Sequence, residues 1–195
     1  MSLSVIVALA DGFEEIEAVA PIDILRRAGL AVTTVGLASR TVTGSRGLVL
    51  TADKAWSELS EPTPDILVLP GGMPGSKNLG EHVGLKQTAH RVAEAGGWLA
   101  AICAAPALTL GVWGLLSGRR ATCFPGCETE FPADVIYCND FVVVDGHIVT
   151  ARGAGVALEF AFRLVEQLQS SEAADRLRSQ MQCAVSPCKY TLQRQ

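Results

Sequence analysis

Nowhere in these 195 residues is there a C-x-x-C pair, a glycine-rich phosphate loop or an excess of positive charge. Each absence removes a class of function. The six cysteines all lie in the second half, and no histidine sits near Cys123-x-x-x-Cys127 or Cys183-x-x-x-x-Cys188. That spacing argues against a structural zinc site, and the Cys183/Cys188 pair reads as two incidental thiols. With no G-x-x-x-x-G-K-[ST], and no G-x-G-x-x-G after the first apolar run, a nucleotide-cofactor enzyme is disfavoured. A net charge of −4 and a pI of about 5.4 carry no electrostatic footprint for nucleic acid or a membrane surface. No apolar run is long enough to span a bilayer. Met1-Ser2-Leu3-Ser4 offers neither a charged leader nor a cleavage site, so no signal peptide is expected. The expected location is the cytoplasm, where thiols stay reduced. Internal repeats, low-complexity tracts and linkers are missing too, and one domain over residues 1–195 is expected, with a disordered tail after about residue 182.

What is there is a globular composition, 49% hydrophobic and 18% charged, in a chain long enough for a sizeable core. Apolar runs at Ser4–Ala10, Ala31–Leu37, Asp65–Leu69 and Trp98–Ile102 read as buried strands. Glu14–Ala28 has helical spacing, with Gly29 as its C-cap; Pro21 predicts a kink or restart inside it. Thr41–Thr43 and Leu48–Leu50 suggest a small hairpin, Trp56–Leu59 a helical turn, and Arg120–Cys123 a short strand. Leu85–Ala95 reads as a helix. Phe141–Val144 and His147–Thr150 flank Asp145-Gly146, which suits a type I′ turn. Helices over Val156–Leu168 and Ser171–Met181 follow. Strands alternating with helices imply a three-layer α/β/α sandwich on a mostly parallel sheet. In such sheets ligands bind beyond the carboxyl ends of the strands. The loops leaving those ends are Asp11–Glu17, Pro70–Gly75 and Cys103–Pro106.

The third loop places a thiol at a corner. Trp98 to Ile102 is apolar, Cys103 falls where the strand stops, and Pro106 suits the first turn of a helix through Leu108, Leu110, Val112 and Leu115. A thiol at a helix N-terminus is expected to have a lowered pKa. A cysteine inside an apolar run is, against that, often inert packing. A thiolate nucleophile needs a proton carrier and a receiver for developing negative charge. Backbone N–H groups of Gly72 and Ala104 would supply the receiver. Glu14, Glu15 and Glu17 are the candidate proton carriers; composition does not choose among them, and any one reads equally as helix N-terminal charge. A carboxyl next to a thiolate in a dry pocket is expected to be partly protonated. His82, His90 and His147 read as surface residues in a loop, a helix and a hairpin strand.

These segments in this order resemble the ThiJ/PfpI superfamily, the family of DJ-one, and within it the bacterial YajL-like branch. The resemblance rests on Ala10-Asp11-Gly12-Phe13-Glu14-Glu15-Ile16-Glu17, Asp23-Ile24-Leu25-Arg26-Arg27-Ala28-Gly29, Ser45-Arg46-Gly47, Leu69-Pro70-Gly71-Gly72, Ala100-Ala101-Ile102-Cys103-Ala104-Ala105-Pro106 and Arg152-Gly153-Ala154-Gly155. It runs from about Leu3 to Met181 and implies a flavodoxin-like core. It places the family's oxidisable cysteine on Cys103, its pocket glutamate on Glu17 and its backbone pocket on Gly71, Gly72 and Ala104. It implies a homodimer, with Ile16, Arg27 and Arg46 at the interface and pocket wall. Phe124 stands where human-type members have a histidine, and Ala154 stands where the proline of R-G-P-G is usual, a change expected to loosen that wall. Protease-like members carry a histidine after the nucleophile, where this chain has Ala104; an amidase or peptidase is therefore the weaker reading. The implied function is a cofactor-independent glyoxalase or deglycase acting on methylglyoxal or on glycated protein or nucleotide adducts, in defence against carbonyl and oxidative stress. The alternative is a non-enzymatic oxidative-stress sensor or chaperone working through Cys103 oxidation. No metal or organic cofactor is implied.

Overall fold

The computed structural model describes residues 2–60 and 62–183. In chain order the strands are β1 Ser4–Leu9, β2 Ala31–Gly36, β3 Thr41–Thr43, β4 Val49–Thr51, β5 Lys54–Ala55, β6 Ile66–Leu69, β7 Trp98–Ile102, β8 Arg120–Ala121, β9 Ile136–Tyr137, β10 Val142–Asp145 and β11 Ile148–Ala151. The helices are α1 Glu15–Arg27, α2 Gly75–Glu81, α3 Val83–Glu94, α4 Ala157–Leu168 and α5 Ser171–Gln180. A π-helical segment, Pro106–Gly111, follows β7. Seven strands form one sheet in the order β10-β11-β7-β6-β1-β2-β5, parallel except for β10. The pairs β3–β4 and β8–β9 stand apart as two-stranded sheets.

The alternation along each strand divides the core in two. Val5, Val7, Leu9, Val68, Ala100 and Ile102 face α1, α4 and α5, where they meet Ala18, Leu25, Phe160 and Leu164. Ile6, Ala8, Leu67, Leu69, Leu99 and Ala101 face the opposite layer, where they meet Leu79, Leu85, Val92, Leu110 and Trp113. A period of two sends alternate side chains to opposite faces, and both faces are covered. The result is the mostly parallel α/β/α sandwich that the alternation of elements implied. The strand order reverses beside β1: the chain leaves β1 for β2 on one side and returns to β6 on the other. The crevice beyond those strand ends is where an open α/β sheet binds ligands.

Local expectations meet several corrections. Pro21 does not restart α1, which runs unbroken from Glu15 to Arg27 with Pro21 buried in it. Burial of Ala18, Ile22 and Leu25 on either side outweighs the lost hydrogen bond, a cost of roughly 3 kcal/mol in a helix interior. The β10–β11 turn is not type I′ with Asp145-Gly146 at its centre. Asp145 pairs with Ile148, so Gly146 and His147 are the central residues and only Gly146 has a positive φ, 57°. Arg120–Cys123 is strand only at Arg120 and Ala121, outside the main sheet. Gly75–Glu81, unanticipated, is helical because Leu79 is buried against the Leu110 side of the core. The helix expected from Pro106 through Leu115 is the π-helical segment Pro106–Gly111, and β5, β9 and a 3-10 turn at Cys127–Glu130 were not anticipated. The remaining elements fall within a few residues of expectation, and Gly29, just past the Ala28 C-cap of α1, has the left-handed φ of 79° that suits this place. Cys188 lies outside the described residues.

Candidate active site

The site is built from the three loops that leave β1, β6 and β7. Cys103 is the residue at which β7 turns. Its φ is 67°, a left-handed conformation that costs a non-glycine residue roughly 1–3 kcal/mol. Two backbone bonds hold it there. Its N–H donates to the Ala151 carbonyl at 2.9 Å, and its carbonyl accepts from the Phe124 N–H at 2.8 Å. The bend frees the Cys103 side chain from the sheet and leaves it half-buried. The backbone N–H groups of Gly72 and Ala104 are the neighbours that favour a negative charge on its sulfur.

Glu17 arrives from the first turn of α1 and is fully buried. Its Oε2 accepts from the Gly71 N–H at 2.9 Å. Its Oε1 is buried without a partner that meets hydrogen-bond geometry, with the Cys103 side chain and the Ala154 N–H beside the carboxyl. Gly71 is where Glu17 and Cys103 converge. A Cβ on Gly71 would lie 2.4 Å from Glu17 Oε2 and 2.5 Å from Cys103 Cβ. Gly72, with φ of 91°, brings its backbone against the start of α1: a Cβ there would stand 2.4 Å from both the Glu14 nitrogen and the Gly12 carbonyl oxygen. The loop is bolted to α1 by the Glu14 N–H donating to the Gly71 carbonyl at 2.9 Å.

The structure separates the three glutamates that the sequence left open. Glu14 is the N-cap, its Oε2 accepting from the Glu17 N–H at 2.8 Å. Glu15 turns the other way, and its Oε1 accepts from the Arg46 N–H at 2.6 Å. Burial raises the Glu15 pKa, but hydrogen bonds from the backbone of Arg46 and Leu48 and from Ser45 outweigh it and hold the carboxyl below the usual range. Glu15 thus pins the β3–β4 turn. Only Glu17 reaches the thiol. A signal for this was present in the sequence: at four and eight residues' spacing, Glu17, Pro21 and Leu25 share the buried stripe of α1.

The electrostatics correct one expectation. Burial, then the charge of Glu17 and the hydrogen bond to it, push the Cys103 thiol up to about 12 rather than down. The helix dipole, worth about 0.3–1 kcal/mol in ordinary settings, and the N–H groups of Gly72 and Ala104 do not overcome that. Burial, helped by the charge of Glu14, likewise pushes Glu17 up to about 7, against the hydrogen bonds with Cys103, Gly71 and Ala154. Carboxyl and thiol act on each other, so their titrations are coupled. Protonating Glu17 removes its repulsive charge and gives the unpartnered Oε1 a hydroxyl to donate, which lowers the cost of ionising the sulfur. This matches the expected partly protonated carboxyl and makes Glu17, rather than the helix end, the group on which ionisation of Cys103 depends.

Phe124 forms one wall. Its ring lies so close to Gly153 that a Cβ there would stand 3.3 Å from Cδ2, and 3.9 Å from Glu17 Oε1. Ala154 opens the short 3-10 turn before α4 and keeps an N–H toward Glu17 that a proline would lack. Ile16, Arg27 and Arg46 are not in this pocket within one chain. Ile16 is 56% exposed on the outer face of α1, Arg27 pairs with Asp23 at 2.6 Å, and Arg46 is exposed on the β3–β4 turn. The histidines lie elsewhere. His82 accepts from the Leu85 N–H, and His147 stacks on Trp98 at the far end of β7. Among the described residues no three His, Cys, Asp or Glu side chains converge as metal ligands, and no helix is long and apolar enough to cross a membrane.

Known proteins repeat this arrangement of chain. "Toxoplasma gondii DJ-1, oxidized" superposes with a TM-score of 0.90 at 38% identity, over 94% of this chain and 100% of that one. A DJ-1 superfamily protein from Salmonella typhimurium superposes at 0.89 with 34% identity, over 93% of this chain and 99% of that one. Drosophila melanogaster protein dj-1beta is 38% identical over 88% of this chain and 92% of its own length. Caenorhabditis elegans glutathione-independent glyoxalase DJR-1.2 is 32% identical over 84% of this chain and 87% of its own. Arabidopsis thaliana DJ-1 homolog B is 39% identical over 87% of this chain, which spans only 39% of that relative's length. For homolog A of the same plant that share is 45%. The model of the DJ-1/PfpI family matches residues 3–167, from β1 through all but the last residue of α4. Sequence and fold agree, and the chain belongs to the DJ-1/PfpI family.

Proposed function

We propose that this chain is a glyoxalase or deglycase that uses Cys103 as nucleophile and Glu17 as proton carrier. The observation that carries the reading is the convergence of Cys103 and Glu17 over Gly71, inside a pocket that keeps the carboxyl's proton affinity near neutrality. The Cys103 thiolate adds to the aldehyde carbon of a small dicarbonyl such as methylglyoxal. The carbonyl oxygen gains the negative charge and takes hydrogen bonds from the N–H groups of Gly72 and Ala104. Protonated Glu17 delivers its proton to that oxygen. As a carboxylate it then moves hydrogen from the first carbon to the second, leaving a thioester on Cys103 that water hydrolyses to the hydroxy acid. The oxidation of one carbon balances the reduction of its neighbour, so side chains, backbone and water suffice. Early glycation adducts on protein or nucleotide hold that carbon as a carbinol; breaking its bond to the modified nitrogen or sulfur, which leaves with a proton as the free amine or thiol, returns the aldehyde carbon to Cys103, and this is the deglycase form of the reaction.

The name of the C. elegans relative supports the reading. So does the corner itself, a strained turn of the kind found at active sites. We further propose a homodimer through the outer face of α1, a cytoplasmic location and a place in the YajL-like branch, the last on Phe124. The test is methylglyoxal turnover by the parent, Cys103→Ala and Glu17→Gln proteins. Loss of at least 100-fold in both variants is expected; turnover retained by Cys103→Ala overturns the proposal. Oxidation sensing is the second reading, favoured by the half-buried sulfur and by the oxidised state named for the T. gondii protein. Selective gain of two oxygens on Cys103 under peroxide, without carbonyl turnover, would select it.

A further inference from the structure

We propose that Glu14 is a positioning residue whose negative charge steers the proton shared by Glu17 and Cys103 onto the carboxyl, leaving the anion on sulfur. The inference rests on the reading that the thiolate is the working form of Cys103. Glu14 is fixed at both ends. Its N–H donates to Gly71, and its Oε2 accepts the Glu17 N–H at 2.8 Å. The backbone it presses against is that of Gly72, where no Cβ fits. Its carboxylate is therefore tied to the first turn of α1, on the backbone of Glu17 itself.

The groups facing Glu17 come from four elements. On its own helix there is Glu14. From the loop after β6 there is the Gly71 N–H, from the corner after β7 the Cys103 side chain, and from the turn before α4 the Ala154 N–H. None is a cation. The neutral donors stabilise a carboxylate weakly, and Glu14 is the charge that opposes one. Groups acting on Cys103 are Glu17 itself and the N–H groups of Gly72 and Ala104. Glu14 thus discriminates between two forms of equal total charge: it repels a charge on Glu17 and bears less on one at the sulfur. Moving the proton from Cys103 Sγ to Glu17 breaks an S–H bond and makes an O–H bond, with no other reactant. A capping role alone would predict none of this, because a neutral side chain caps equally well.

The test is the rate of iodoacetamide alkylation at Cys103, followed by peptide mass across pH 4–9. The parent, Glu14→Gln and Glu14→Ser proteins are compared, the last keeping an N-cap oxygen without charge. In both variants the alkylation onset is expected roughly one pH unit lower, because the first proton leaves more easily. The plateau near neutrality is expected several-fold lower, because the remaining anion resides more on Glu17. Profiles that superimpose on the parent's in both variants, or a plateau that rises, overturn the proposal. Should Glu14→Gln fail to fold, Glu14→Ser decides it. Alkylation needs no carbonyl substrate: absent turnover in the parent would sink the proposed activity and leave this measurement standing.

Discussion

Burying a carboxyl that titrates near neutrality has a stability signature of its own. Glu17 is held up to about 7 in the folded chain from an ordinary value of 4.5. The folded state therefore binds the proton more tightly than the unfolded chain does. Stability linked to Glu17 is fully present below pH 4.5, falls as pH rises through about 7, and is constant above that. The total is on the order of 3 kcal/mol. Glu17→Gln, which is neutral at every pH, is expected to be more stable than the parent at pH 8 by up to that amount, with the gain vanishing below about pH 4.5. Urea denaturation of both proteins at pH 4, 6 and 8 measures it. A constant difference across the three would mean that Glu17 is solvated, and its catalytic assignment would go with it. A site that destabilises the fold above neutrality is the usual trade between stability and activity.

Among the elements, α5 is held by a small amount of hydrocarbon and by a cluster of ion pairs. Its Leu177 and Ala174 are buried against α4, but Arg178 is the clasp. Its guanidinium reaches Glu166 Oε1 at 2.9 Å and Glu159 Oε2 at 3.0 Å on α4, pairs with Asp175 on α5, and lies over the Phe162 ring at 4.7 Å. Arg178 and Glu166 are mostly shielded, so deleting one partner leaves the other poorly solvated. Arg178→Ala is expected to cost roughly 2–4 kcal/mol, read as a fall in Tm. The alkylation profile of Cys103 should not move, because α5 does not contribute to the pocket. A shift there would mean that α5 supports the corner through α4, a coupling this reading does not contain. The corner differs in kind: it is secured by two backbone hydrogen bonds and by glycines that leave no room for a Cβ.

For the whole molecule the outer face of α1 is the open question. Ile16, Val19 and Leu158 are exposed together around a shallow apolar depression of about 390 Å³, with Met181 at its edge. If the proposed homodimer uses this face, Ile16→Asp should convert it to monomer by analytical ultracentrifugation. Unchanged sedimentation would place the interface elsewhere. Glu15 would connect the two scales. It begins α1 on the exposed side and holds the Arg46 turn, while Glu17, two residues on, faces the thiol. An event at the interface would thus lie within two residues of the proton carrier.

The apolar period of two in the strands, the wider period of α1 and α4, and the glycines at turns are chemical preferences carried by neighbouring residues. They suffice for a covered parallel sheet and for a thiol at the end of β7, and those features were legible in the chain alone. Glu17 was one of three candidates because side-chain direction depends on where the helix begins, and Glu14 decides that by capping. Ionisation of Cys103 was misjudged because it depends on distant residues: Gly71 allowing Glu17 to approach, and Gly153 bringing the turn before α4 close to the carboxyl. Burial and proximity between segments tens of residues apart come only with tertiary packing, and desolvation in that packed pocket outweighs the dipole that local sequence places at the corner.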